Sequence, residues 1–343
     1  MFFHSDHRKK TNNPILGLFR LFLSIIIIAV LGLGLLQAYK AFSGYDPISL
    51  SPQQTIKSLL TSEGAYNFLK GLLTFSPQES LKQAQKAIQN EDITTDGLTN
   101  PESNAAIIYS FAVLADSHLD YQNLAKALAQ AKGDGAQFVI GIGDLSDVGT
   151  IEQLTQTKSV YDAAGLPYYI APGDHDMWDS RNQKKDASQN FMDVFGSPYK
   201  AFSYQNTRFI LINNADNYLG IDSTQLAWIE DELKNIDQTA TQQIFVIADI
   251  PLFHPSSDHV MGKTEPKLKA QADHLMSIFA RAGVKQVFSA DTHMYSSYKD
   301  PTNNLPMITV GAVTSDRNPQ IPRFLMVDVR EDGSYNTRQV EIQ

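Results

Sequence analysis

The 343 residues include 37 acidic and 28 basic side chains, a net charge of −9, and no basic stretch that could track a nucleic-acid backbone. With no cysteine, disulfides, thiolate metal sites and a cysteine nucleophile are excluded. A 43% hydrophobic and 19% charged composition is that of a folded chain, and the length exceeds one small core, so one large domain with appendages is expected.

Residues 1–20 are a basic N-terminus. Leu21–Tyr39, "LFLSIIIIAVLGLGLLQAY", is uncharged and long enough to cross a bilayer as a helix. Arg8, Lys9, Lys10 and Arg20 precede it, which predicts a cytoplasmic N-terminus and an extracytoplasmic remainder. The flanking sequence is poor as a cleavage site, so a retained single-pass anchor is expected rather than a removed signal peptide. Residues 44–104 form a helical stalk or linker region. Apolar spacing from Thr55 to Phe75 and a Ser76-Pro77 helix start, with Glu79 three residues after the serine, carry that expectation.

From residue 105 to 343 apolar runs alternate with helical patterns, the sign of an α/β domain whose chemistry sits at the carboxyl ends of strands. Five predicted strand ends run into aspartate. They are Asp116-Ser-His118, Gly143-Asp144-Leu-Ser-Asp147, Gly173-Asp174-His175-Asp176, Asp249-Ile-Pro251 and Asp291-Thr-His293. One such aspartate is ordinarily a turn former or helix cap. Five in one domain, two with histidine two residues on and one followed by His-Asp, predict a shared metal site.

In order and spacing, residues 107–330 resemble the calcineurin-like metallophosphoesterase family. Its pattern is Asp-x-His, Gly-Asp, Gly-Asn-His-(Asp/Glu), a His two residues before Pro, and Gly-His-x-His. The resemblance implies a four-layer α/β/β/α sandwich and a metal-dependent phosphoester hydrolase, acting as a phosphatase or phosphodiesterase. It assigns Asp116, His118, Asp144 and His293 to a first metal, suited to Mn, Fe or Zn. Asp144 is shared with a second metal, whose other ligands fall at Asp174, Asp249 and Asp291. There the family carries Asn, His and His. Carboxylates are hard ligands, so Mg, Mn or Ca is expected at the second site. His175 is expected to protonate the leaving oxygen, with Asp176 fixing its tautomer.

The substitutions raise a charge problem. Five carboxylates against two divalent ions leave the centre net negative by about one charge, a poor attractor for phosphate. A protonated aspartate, a trivalent ion, or a second site without a catalytic metal would each resolve it. A phosphoester substrate and the membrane are the expected partners. A weak or inactive relative, whose acidic cation site serves ligand or partner binding, is the alternative. Asp147 is read as a structural residue or a support to the ligands. His254 and His259 are read as substrate contacts or surface residues, and Trp178 as a pocket wall or core residue.

Overall fold

The computed structural model describes residues 103–237 and 239–343. The predicted anchor at residues 21–39 and nearly all of the region at 44–104 lie outside the described residues. Among the described residues no helix is long and apolar enough to cross a membrane.

In chain order the elements are β1 (Ile107–Ala115), α1 (Tyr121–Gly133), β2 (Ala136–Ile142), α2 (Ile151–Ala164) and β3 (Tyr168–Ala171). A 3-10 turn at His175–Met177 leads into α3 (Trp178–Asn182) and α4 (Gln189–Phe195). Then come β4 (Lys200–Tyr204), β5 (Thr207–Leu211), α5 (Ser223–Lys234), β6 (Gln243–Ile247), α6 (Leu268–Arg281) and β7 (Gln286–Ser289). The chain ends with β8 (Ser296–Lys299), β9 (Pro306–Thr309), β10 (Arg323–Arg330) and β11 (Tyr335–Glu341).

Two sheets form, in the orders β11-β10-β1-β2-β3 and β4-β5-β6-β7-β9-β8. The strands β1, β2 and β3 run parallel, as do β5, β6, β7 and β9. The alternation of side chains along each strand explains the layering. Along β1, Phe111, Val113 and Ala115 join the core between the sheets, while Ala112 and Leu114 face α1 and α2. Along β6, Phe245 and Ile247 enter the same central core, while Ile244 and Val246 pack with Ala272, Leu275 and Phe279 of α6. Helices therefore cover the outer face of each sheet, giving four layers. The central core is built on aromatics. Phe111 stacks on Phe138 at 5.3 Å and meets Phe209 edge-on at 5.2 Å. Burying each of these rings contributes about 2–3 kcal/mol.

Local chemistry starts the helices where the sequence pattern places them. Asp120, Thr150 and Asp222 each accept a hydrogen bond from the backbone N–H three residues on, capping α1, α2 and α5. The run Lys200–Leu211 is a hairpin. Gln205 adopts φ 48° between β4 and β5 and turns the chain back. This topology brings the carboxyl ends of β1, β2, β3, β6 and β7 to one edge of the sandwich, and the five aspartate motifs follow those five ends.

Candidate metal centre

The Asp116–His118 and Asp291–His293 turns follow the ends of β1 and β7. All four of these residues have left-handed backbone, with φ of 50°, 43°, 64° and 54°. Asp and His tolerate this region better than most residues, but four together are costly. The turns lock onto each other: the Asp291 N–H donates to Asp116 Oδ1 at 3.2 Å, and His118 Nε2 lies 3.0 Å from His293 Nε2.

Two glycines make room for the carboxylates. Gly143 has φ 64°, and a Cβ there would come within 2.2 Å of Asp249 Oδ1. A Cβ on Gly173 would lie 2.0 Å from the Asp144 backbone nitrogen. Their place before Asp144 and Asp174 therefore has a steric cause.

Ligand-type atoms within 4.8 Å of one another form two groups among the described residues. One is His118, Asp144 and His293; the other is Asp144, Asp174 and His175. Asp144 is common to both. Asp116, Asp249 and Asp291 stand outside these two tight groups but close around them. Asp249 is 1% exposed and both its carboxylate oxygens lack a hydrogen-bond partner, as do the buried atoms Asp116 Oδ2 and His293 Nδ1. An uncompensated buried carboxylate costs several kcal/mol. Unpartnered carboxylate oxygens and one unpartnered imidazole nitrogen among these residues fit divalent cations, which bind such donors.

The titration behaviour agrees. Burial, reinforced by Asp144, raises the carboxyls of Asp116, Asp174 and Asp249 well above the usual range. Burial acts on Asp144 in the same direction, yet His175 and His118 outweigh it and hold its carboxyl low. For His118, burial pulls the imidazole down, but hydrogen bonds to Asp144 and Asp147 dominate and raise it to about 10. Burial, with His118 as a charged neighbour, lowers His293 to about 4.

His175 stacks on Trp178 with ring centroids 3.8 Å apart, which fixes the indole as a wall of the site. Its Nδ1 donates to the backbone carbonyl of Asp147 at 2.7 Å. That bond leaves Nε2 facing the centre, 4.0 Å from Asp144 Oδ2 and 4.0 Å from Asp174 Oδ1. The expectation that Asp176 orients His175 is corrected here. Asp176 is fully buried and accepts from the backbone N–H groups of Leu145, Ser146 and Gly173 and from Ser146 Oγ, making no hydrogen bond to His175. It ties the second motif to the third. Burial pushes its carboxyl up, to about 7, against those four donors.

The site also contains residues outside the ligand set, and two groups of them carry no motif. Asp147 holds His175 through its carbonyl and lies 3.4 Å from His118 Nδ1 through Oδ1. Asn214 Oδ1 accepts from the backbone N–H groups of Asp249 and Ile250, fixing the fourth motif. Asn217 Nδ2 donates to Asp174 Oδ2 at 2.9 Å. Both follow β5, where the Asn213-Asn214 ending was the available signal for Asn214 and nothing marked Asn217. Arg317, 3.2 Å from His118 Nδ1, lies in a polar loop with no motif at all. His259 sits at the rim, its Nδ1 3.7 Å from Asp291 Oδ2. His254 is a loop pin: Nδ1 accepts from Ser256 and Ser257 backbone N–H groups, and Nε2 pairs with Ser296 Oγ.

Comparison with known proteins places this fold. The Calcineurin-like phosphoesterase family model matches residues 109–295. The chain belongs to that family. Purple acid phosphatase 5 of Arabidopsis thaliana is 23% identical over 236 residues, covering 67% of this chain and 55% of the relative. Human serine/threonine-protein phosphatase CPPED1 is 25% identical over 185 residues, covering 51% and 58% respectively. The matches thus span a little over half the length of these relatives. Among solved structures, purple acid phosphatase PPD1 from yellow lupin has TM-score 0.50 at 16% identity, covering 69% of this chain and 54% of that one. GAP50, the anchor in the inner membrane complex of Plasmodium, has TM-score 0.51 at 15% identity, covering 68% and 85%. At these identities the structural likeness is one of fold.

Proposed function

We propose that this protein is a metal-dependent phosphoester hydrolase, held at a membrane by Leu21–Tyr39 with its catalytic domain outside the cytoplasm. The anchor rests on the uncharged length of that segment and the basic residues before it. The activity rests chiefly on one observation: buried carboxylate oxygens and an imidazole nitrogen without protein partners converge where five strand ends meet. The phosphatase names of its relatives support the same reading.

His118, His293, Asp116 and Asp144 would hold one cation, and Asp144, Asp174, Asp249 and Asp291 a second. Bound divalent ions would supply positive charge for phosphoryl oxygens and a lowered pKa for water. The protein's own residues do the rest. His175, with Nδ1 committed to the Asp147 carbonyl, presents Nε2 as the atom that passes a proton to the leaving oxygen. Trp178 keeps that ring from turning away.

A second reading, a weak or inactive member that binds a cation and a partner, is favoured by the excess of carboxylates. GAP50, described as an anchor, shares the fold. The two readings separate in one assay. The full-length chain, given Mn, Mg, Ca or Zn, is expected to hydrolyse a chromogenic phosphomonoester or phosphodiester, and Asp144→Ala to abolish this. Stoichiometric metal binding with no turnover under any of these ions would favour the second reading.

A further inference from the structure

Five carboxylates leave the centre short of about one positive charge even with two divalent ions in place. Arg181 and Arg317 flank it. Arg181 lies 3.5 Å from Asp216 and 5.2 Å over the Tyr218 ring, so its charge is already engaged. Arg317 differs. Its side chain is 51% exposed, with Nη2 3.2 Å from His118 Nδ1 and Nε 3.5 Å from Asp316.

The backbone that carries Arg317 is built into the site's edge. Val313 N–H donates to the Ala115 carbonyl and Thr314 N–H to that of Asp116. Ser315 is tied to Asp120 through both its N–H and its hydroxyl, and Asn318 Nδ2 donates to the Ala312 and Thr314 carbonyls. A fixed loop thus delivers one half-exposed guanidinium to the rim.

The contact with His118 is not a hydrogen bond that commits Arg317. Its Nδ1 faces a donor, Arg317, at 3.2 Å and an acceptor, Asp147 Oδ1, at 3.4 Å, and one ring nitrogen cannot serve both. With Asp147 Oδ1 taking the Nδ1 proton, His118 offers Arg317 no lone pair there, and the half-exposed guanidinium keeps no acceptor on the ring.

We infer that Arg317 binds the substrate's phosphate and favours phosphomonoesters. This deepens the proposed hydrolase reading and rests on it for the word substrate. A monoester has three terminal oxygens and a charge near −2, one oxygen and one charge more than a diester. A guanidinium fork is matched to that extra group. Arg317 also supplies the positive charge that the carboxylate-rich centre lacks.

The test is inorganic phosphate binding by the full-length, Mn-loaded protein, measured calorimetrically for wild type, Arg317→Ala and Arg317→Lys. Metal content is measured in parallel. Arg317→Ala is expected to weaken phosphate about tenfold to a hundredfold at unchanged metal content, with Arg317→Lys between. The ratio of monoester to diester turnover should fall in the same order. Unchanged phosphate affinity in Arg317→Ala, or no phosphate binding by wild type, overturns the inference. So does a loss of metal with phosphate affinity intact at saturating metal, which would make Arg317 a support for His118. Arg317-dependent phosphate binding without turnover would uphold the inference and defeat the hydrolase reading.

Discussion

The turns at Asp116–His118 and Asp291–His293 have one backbone form and two surroundings. Each places an aspartate and a histidine in left-handed conformation after a parallel strand. Asp116 is fully buried, one oxygen on the Asp291 N–H and the other without a partner. Asp291 is 16% exposed in its side chain and faces His259 at the rim. The two histidines meet at the centre between them. One turn geometry therefore serves two aspartates in different surroundings, a dry one at Asp116 and a more open one at Asp291. The half around His118 and His293 offers imidazoles and the half around Asp174, Asp249 and Asp291 offers carboxylates, donor sets suited to borderline and hard cations respectively.

The largest expected effect comes from setting His175 against Asp176. His175→Ala should lower kcat about 10²- to 10⁴-fold with metal content and stability kept. Asp176→Ala should instead destabilise by about 3 kcal/mol or more, because three backbone donors lose their buried acceptor. Urea unfolding and steady-state kinetics on both variants separate these outcomes. Equal kinetic losses at full stability would return Asp176 to the proton-transfer role.

Exchanging the second half is the next step down. Asp174→Asn, Asp249→His and Asp291→His together should move its metal preference from Mg, Mn or Ca toward Zn and raise Zn-dependent turnover. Competition titrations would read the change, and an unaltered order of metal affinities would sink the hard-ligand account.

The smallest effect concerns pH. Asp116, Asp174 and Asp249 keep their protons in the folded, metal-free protein where the unfolded chain, at about 3.9, has lost them. Their raised carboxyls therefore favour the fold at low pH and cease to do so as pH rises. Asp176 adds a loss between about 4 and about 7. The urea midpoint of the metal-free chain should fall from about pH 5 to about pH 8, and saturating divalent ion should flatten most of that slope. A midpoint rising over this range would contradict the burial of ionisable carboxyls at the centre.

Much of this was legible in the sequence because strand ends and period-two alternation are local signals. The five motifs, the layering and the glycines before Asp144 and Asp174 follow from them. Other features depend on contacts across long stretches of chain. Arg317 reaches His118 across 199 residues. The Asp147 carbonyl, rather than the neighbouring Asp176, holds His175, because the 3-10 turn points Asp176 inward. Strand β11, Tyr335–Glu341, is mostly polar and partly exposed, so alternation could not mark it.

Metal content and element identity per chain, measured on purified full-length protein equilibrated with mixed divalent ions, test the central claim most directly. Two ions per chain are predicted, a borderline metal such as Zn, Fe or Mn beside His118 and His293 and a hard one in the carboxylate half. Asp249→Ala should lose only the second. A chain that binds no divalent ion, or binds two borderline ions unaffected by Asp249→Ala, would contradict the account.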